Sequence, residues 1–325
     1  MPQFNPLNEK LKKEYEEALL HGRHREARTV DAVWKAINQF ENFTGRQPFT
    51  AFSTEQAKGF KNCLTKQTNS KGEPHSLSTI KSTLNNVREF LSWLNIHPAT
   101  KRHMNGRAIE FLHLSNNDQR AARATKPRIT PTVIQIVQTV AAMPHDTDIE
   151  KRDRALLAFV AITGVRDGAL ISLRLKDVDI PTRTIWQDPK HVKTKFRKSM
   201  TTAFVPIDPM LEVIVLEWLE YAKNALKLPD NAPLFPSTRV AQNPDNLAFE
   251  VQGVGAEPWQ NASAVRHIFK TAFARVGLPY FHPHTCRHML AVWAMEHGGQ
   301  LEAKAISQNL GHEHMMTTYN SYGCI

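Results

Sequence analysis

Leu77, Ile80, Leu84, Val87, Leu91 and Leu94 recur at alternating intervals of three and four residues. A helix gathers all six on one face, whereas a strand would scatter them. Ser76 or Ser78 is placed to cap that helix, and Pro98 follows its end. Val30, Val33, Trp34, Ile37, Phe40 and Phe43 make a second stripe, closed by Gly45 and Pro48. A third helix is expected at 54–66, with Ser53 or Thr54 as its cap, and a weaker one at 7–20. Four short helices in this stretch make a small bundle. By themselves the stripes speak of core packing and of no particular function.

The chain has 325 residues, which at roughly 100–200 per domain predicts two domains. Its 14 glycines against 19 prolines weigh against Gly-lined nucleotide folds and all-β repeats. Residues 116–128 are polar and lack periodicity, so a linker is placed there, between domains at 1–115 and 129–325. In the second domain Thr130-Pro131 opens a helix, with Pro in its first turn. Helices are expected around 153–163 and at 166–175, 209–226, 262–276, 285–297 and 301–310. Between them lies a β-rich patch, 184–186 and 203–206, flanking a basic loop. The fold class is therefore mostly α with a small β-sheet. Cys63, Cys286 and Cys324 are far apart and odd in number, so neither a disulfide framework nor a Cys-based zinc site can be drawn from them. The longest apolar runs, such as 155–165, are too short to span a bilayer, and no signal segment is read at the N-terminus. No membrane is expected, and the plain reading is a reduced, cytoplasmic protein.

Charge says more. The net charge is +10. Residues 1–125 hold 19 basic and 12 acidic side chains, net +7, leaving +3 for the rest. Lys101, Arg102, Arg107, Arg120, Arg123, Lys126 and Arg128 stand against Glu110 and Asp118 alone. A basic arm between domains is the footprint of a polyanion partner; the plainer alternative is a solvated surface.

Four local patterns follow in the second domain. Thr163-Gly164-Val165-Arg166 places an arginine at a helix N-terminus, where the helix dipole disfavours it unless an anion is shared there. Lys190-His191-Val192-Lys193-Thr194-Lys195 is a hairpin tip suited to a DNA groove, or a solvated turn. His284-Thr285-Cys286-Arg287-His288 puts His284 and Arg287 on one helix face, able to hold one phosphate. His284 and His288 also have the spacing of a metal pair, although Glu296 and Glu313 complete no zinc signature. Leu310-Gly311-His312 precedes Tyr319 and Tyr322. Each pattern alone has a bland reading as surface or core.

Taken in order, these residues resemble the tyrosine recombinase, or phage integrase, family. That family carries T-G-x-R, a hairpin lysine, H-x-x-R, L-G-H and a C-terminal tyrosine in this sequence, and the resemblance runs through the whole chain. It implies a helical core-binding domain that clamps DNA, then a mixed α+β catalytic domain. Residue by residue, Arg166, Lys193, His284, Arg287, His312 and Tyr322 take the six catalytic positions, with Tyr322 as nucleophile. Arg102, Arg107, Arg120, Arg123, Lys126, Arg128 and Lys195 are the candidate DNA contacts. The family implies double-stranded DNA as partner, a homo-tetramer on two DNA sites, accessory DNA-bending proteins, association with the nucleoid, and no metal or other cofactor.

The chain departs from the family pattern in three places. The usual acid three residues after the first arginine is Ala169, although Asp167 lies close by. The position nine after His312 is Ser321, with Tyr322 at ten and Tyr319 at seven. Three residues follow Tyr322, where many members continue with a helix that docks on a neighbouring subunit. Two rivals stay open on these residues: a type IB topoisomerase, and a non-catalytic DNA-binding protein that keeps the fold. A His-based metalloenzyme is a more distant third.

Overall fold

The computed structural model describes residues 4–123, 129–194, 197–243 and 247–311. The chain divides into two compact units, Met1–Lys126 and Pro127–Ile325. The first is helical: α1 (Pro6–Glu17), α2 (Ala27–Phe43), α3 (Thr54–Lys66), α4 (Leu77–Ile96) and α5 (Asn116–Arg123). Ser76, not Ser78, caps α4, its hydroxyl accepting the Thr79 N–H. Ser53 caps α3 in a reciprocal box with Gln56. The periodic residues Val30, Val33, Ile37, Phe40, Ile80, Leu84, Val87, Leu91 and Leu94 all enter the core. The signal of α1 is weaker because polar residues occupy its inner face. Asn8 and Lys12 are buried there, and both bond the Glu41 carboxylate of α2, at 2.9 and 2.7 Å. Residues 116–123, read from sequence as linker, are helical instead. Ser115 starts that helix by accepting the Asp118 N–H while donating to the Asp118 carboxylate. So short and polar a segment shows no apolar stripe.

The second unit contains α6 (Val133–Ala141), α7 (Asp148–Thr163), α8 (Asp167–Leu170), α9 (Pro209–Asn224), α10 (Ser263–Arg275), α11 (Thr285–His297) and α12 (Gln300–Asn309). Helix α7 is its axis, with every residue from 155 to 163 buried. Strands β1 (Val178–Asp179), β2 (Thr184–Gln187) and β3 (Met200–Ala203) form an antiparallel sheet in that order, Thr184 opposite Ala203 and Gln187 opposite Met200. A separate hairpin joins β4 (Thr238–Gln242) to β5 (Phe249–Val254). Among the described residues no helix is long and apolar enough to cross a membrane.

Further expectations need correction, among them the strand at 203–206, which runs instead over Met200–Ala203. Pro131 precedes α6 rather than sitting in its first turn, because Thr132 closes a capping box with Gln135. The helix expected at 166–175 is the single turn α8. Beyond it the backbone pairs elsewhere, Leu234 N–H on Leu173 O and Leu175 N–H on Ala232 O, both at 2.8–3.0 Å. The β4–β5 hairpin was not expected at all. Val240, Phe249 and Val251 are exposed along it, so no buried face imposes a legible pattern.

Candidate active site

Helix α7 ends at Gly164, whose φ of 61° lies in the left-handed region that glycine tolerates. Space forbids a side chain there as well. A Cβ would fall 2.7 Å from Leu310 Cδ2, 3.1 Å from Leu290 Cδ1 and 3.4 Å from Arg287 Cγ. Three motifs distant in sequence therefore meet at one backbone atom. The Arg287 guanidinium makes the connection explicit, Nη1 donating to Gly164 O and Nη2 to Leu310 O. Arg287 is only 2% exposed, so its charge sits in the interior and is strongly felt nearby. Its neighbour Cys286 is buried too, and burial pushes the thiol up to about 12, which leaves it protonated and unreactive.

Arg166 takes the N-cap position of α8 with extended backbone. Gly311, at φ 69°, packs beside it: a Cβ there would stand 3.6 Å from Arg166 Nη1 and 3.1 Å from Met200 Sδ. The L-G-H segment thus reaches the first arginine. Arg166, Asp167, Gly168, His282, His284, Thr285 and His288 line an open cleft of about 560 Å³. His284 occupies the N-cap position of α11, and its backbone N–H donates to His282 Nδ1 at 3.1 Å. That bond requires Nδ1 to be an acceptor, so the His282 proton is on Nε2, which faces Asp167 at 3.9 Å. The His284 and His288 rings meet edge to face at 5.9 Å. Among the described residues no three His, Cys, Asp or Glu side chains converge as metal ligands.

Arg287 does not line the cleft with His284; it is buried in the same turn of α11. Lys193 is exposed on the β2–β3 connection and lines a neighbouring cleft with Ser172, Arg174, His191 and Trp259. The two clefts adjoin at Gly168, where a Cβ would lie 3.4 Å from Lys193 O. Ala169 is buried in the core. Asp167 carries the nearby negative charge, its Oδ2 3.4 Å from Arg266 Nη2. Sequence reasoning passed over His282, Arg266 and Ser172, which carry no motif and are recruited by tertiary contact. Arg102, Arg107 and Arg120 are exposed on the first unit, and Arg123 ends α5. Lys126, Arg128, Lys195, His312, Tyr319 and Tyr322 lie outside the described residues.

The two arginines should part company in a melting experiment. Arg287→Ala removes two charged hydrogen bonds to buried carbonyls, each worth about 1.5–3 kcal/mol. At roughly 2–4 °C per kcal/mol, the second unit should melt about 6–24 °C lower. Arg166→Ala, at the cleft wall, should melt within about 2 °C of the parent chain. Equal losses would show that Arg287 is not the clamp the geometry describes.

The sequence model described as the phage integrase family matches residues 131–323. The chain belongs to the phage integrase family. Among its relatives, the tyrosine recombinase XerC of Bacillus subtilis (strain 168) is 23% identical over 286 residues, which cover 87% of this chain and 81% of that protein. Against other XerC proteins the match spans only about half of their length, 54%. A lambda integrase dimer bound to a COC′ core site superposes with a TM-score of 0.60 at 16% identity, covering 95% of this chain and 93% of that one. The Tn1549 transposon integrase in complex with circular intermediate DNA gives 0.59 at 16% identity, covering 96% and 94%. At such identities the likeness establishes an integrase fold, mostly helical with small antiparallel sheets.

Proposed function

We propose that this integrase-family chain is a site-specific DNA recombinase that cuts and rejoins double-stranded DNA through a 3′-phosphotyrosine. The observation that carries the reading is the junction at Arg287. One guanidinium joins Gly164 of T-G-x-R to Leu310 of L-G-H, and Gly311 comes to rest beside Arg166. Three of the five weak motifs thus meet at one point, as a phosphate site assembled from them requires.

In the proposed reaction the Tyr322 hydroxyl oxygen attacks phosphorus and the bond from phosphorus to the 5′ oxygen breaks. His284 accepts the tyrosine proton and Lys193 supplies one to the departing oxygen. Arg166, at the cleft wall, meets the charge that grows on the non-bridging oxygens, the buried Arg287 adds its positive charge from the interior, and His312 bonds one of the oxygens. A 5′-hydroxyl from a second strand then displaces the tyrosine. One phosphoester replaces another at each step, so the cycle runs without ATP, and the arginines supply the charge neutralisation for which other enzymes use metals.

Tyr221 donates to Asp148 at 2.6 Å, a bond that pushes its hydroxyl pKa up. Burial pushes up Tyr280 and, in the first unit, Tyr15. Of the five tyrosines, Tyr319 and Tyr322 are the two that follow the L-G-H motif.

The domain read from sequence as 1–115 would clamp DNA as a core-binding domain, with the basic side chains of 116–128 on the DNA backbone and a catalytic domain at 129–325. The working form would be a homo-tetramer on two sites, aided by DNA-bending proteins, in the cytoplasm at the nucleoid. Strand exchange between two copies of its site is the test. Recombinant products are expected; relaxation of supercoils without exchange would instead favour the topoisomerase reading.

The basic segment gives a separate test. Each phosphate neutralised steepens the fall of log K with log salt by about 0.9. Replacing Arg102, Arg107 and Arg120 with Gln should weaken binding to all DNA sequences and flatten the slope by about 2–3. A slope equal to that of the parent chain would place these side chains off the backbone.

A further inference from the structure

We infer that Ser172 is a positioning residue that sets where the Lys193 amine stands relative to Arg166; the inference rests on Lys193 being the acid proposed above. Ser172 follows the turn that begins at Arg166. Its hydroxyl accepts the Lys193 N–H at 2.8 Å and points its own proton at Gly168 O and Ala169 O, at 3.0 and 2.9 Å. A hydroxyl has one proton and two lone pairs, so it can do both at once. The α8 turn and the β2–β3 connection are thereby held in register through one oxygen atom.

The surroundings show what this oxygen adds. Just before Lys193 the chain is already pinned. His191 Nε2 lies 3.0 Å from Asp177 Oδ1, and Asp177 Oδ2 accepts the Arg174 N–H at 2.8 Å. Val192 is 2% exposed. These contacts hold the loop to the body of the unit but leave the height of Lys193 over α8 unset. Gly168 lies against the same connection, where a Cβ would meet Lys193 O at 3.4 Å and Lys193 Cβ at 3.9 Å, ordinary contact distances. The Ser172 hydroxyl then fixes the root of the lysine stem. A four-carbon stem with an exposed amine has many rotamers, and a fixed root confines them to one side of the adjoining clefts.

Removing the hydroxyl should therefore harm proton delivery and spare fold and DNA binding. The experiment is single-turnover cleavage by the full chain on two substrates. One has the ordinary 5′ oxygen and the other a bridging sulfur, a leaving atom that needs no proton. Ser172→Ala is expected to cleave the oxygen substrate about tenfold more slowly and the sulfur substrate within about twofold of the parent rate. Ser172→Thr, which keeps the hydroxyl, should restore most of the oxygen rate. Equal slowing on both substrates would make Ser172 merely structural, and no slowing on either would make the hydrogen bond idle; each result overturns the inference. Lys193→Ala in parallel separates the two layers. If sulfur fails to rescue it, the acid assignment itself is wrong. If sulfur rescues it but not Ser172→Ala, only the positioning role falls.

Discussion

Tyr322→Phe should bind DNA as well as the parent chain and form no covalent product. Removing the nucleophile of other enzymes that form covalent intermediates costs on the order of 10⁶ in rate, because nothing else nearby can open the bond. Tyr322 is preferred to Tyr319 on spacing from His312, ten residues against seven where the family pattern has nine. One extra residue is a small adjustment at a helix end. Thr317-Thr318 leaves Tyr319 directly behind a pair that in the family precedes the tyrosine by several residues. Gly323 gives Tyr322 a pliable neighbour, useful to a side chain that must reach phosphorus and withdraw. Tyr319→Phe should keep cleavage. The reverse pattern would shift the nucleophile to Tyr319, and indifference to both would remove the enzymatic reading.

Lys193→Ala should slow cleavage of ordinary DNA by about 10²–10⁴, the usual contribution of a positioned acid. It should recover to near the parent rate when the leaving atom is sulfur. The sequence offers Lys193 and Lys195 on one strand face. In the structure the Lys193 backbone is tied to the turn after Arg166 through Ser172. Rescue of Lys195→Ala but not of Lys193→Ala would move the acid two residues along.

Helices with a buried apolar stripe were legible because a period of 3.6 residues survives in one dimension. The range expected for α11, 285–297, is the range observed, bounded by His284 and Gly298. The T-G-x-R and H-x-x-R motifs were legible as patterns, but the reason for them was not. Gly164 is needed because Leu310, Leu290 and Arg287 crowd its α-carbon, and all three come from more than 100 residues away. The β4–β5 hairpin buries little, so it writes no alternation. Asp167 and His282 face each other across the cleft through tertiary contact, and no local spacing encodes that. In α1 the buried Lys12–Glu41 pair replaced the expected apolar contacts, which is why its stripe looked faint.

If the proposed site opens DNA by joining it to a tyrosine, one measurement shows it directly. The full chain is mixed with a nicked suicide substrate carrying its site, denatured in SDS, digested with protease, and the peptide bonded to the DNA 3′-phosphate is identified by mass. A DNA-linked band and a peptide modified at Tyr322 are expected. A chain that binds the same DNA yet leaves no denaturation-resistant adduct would contradict the proposed reaction.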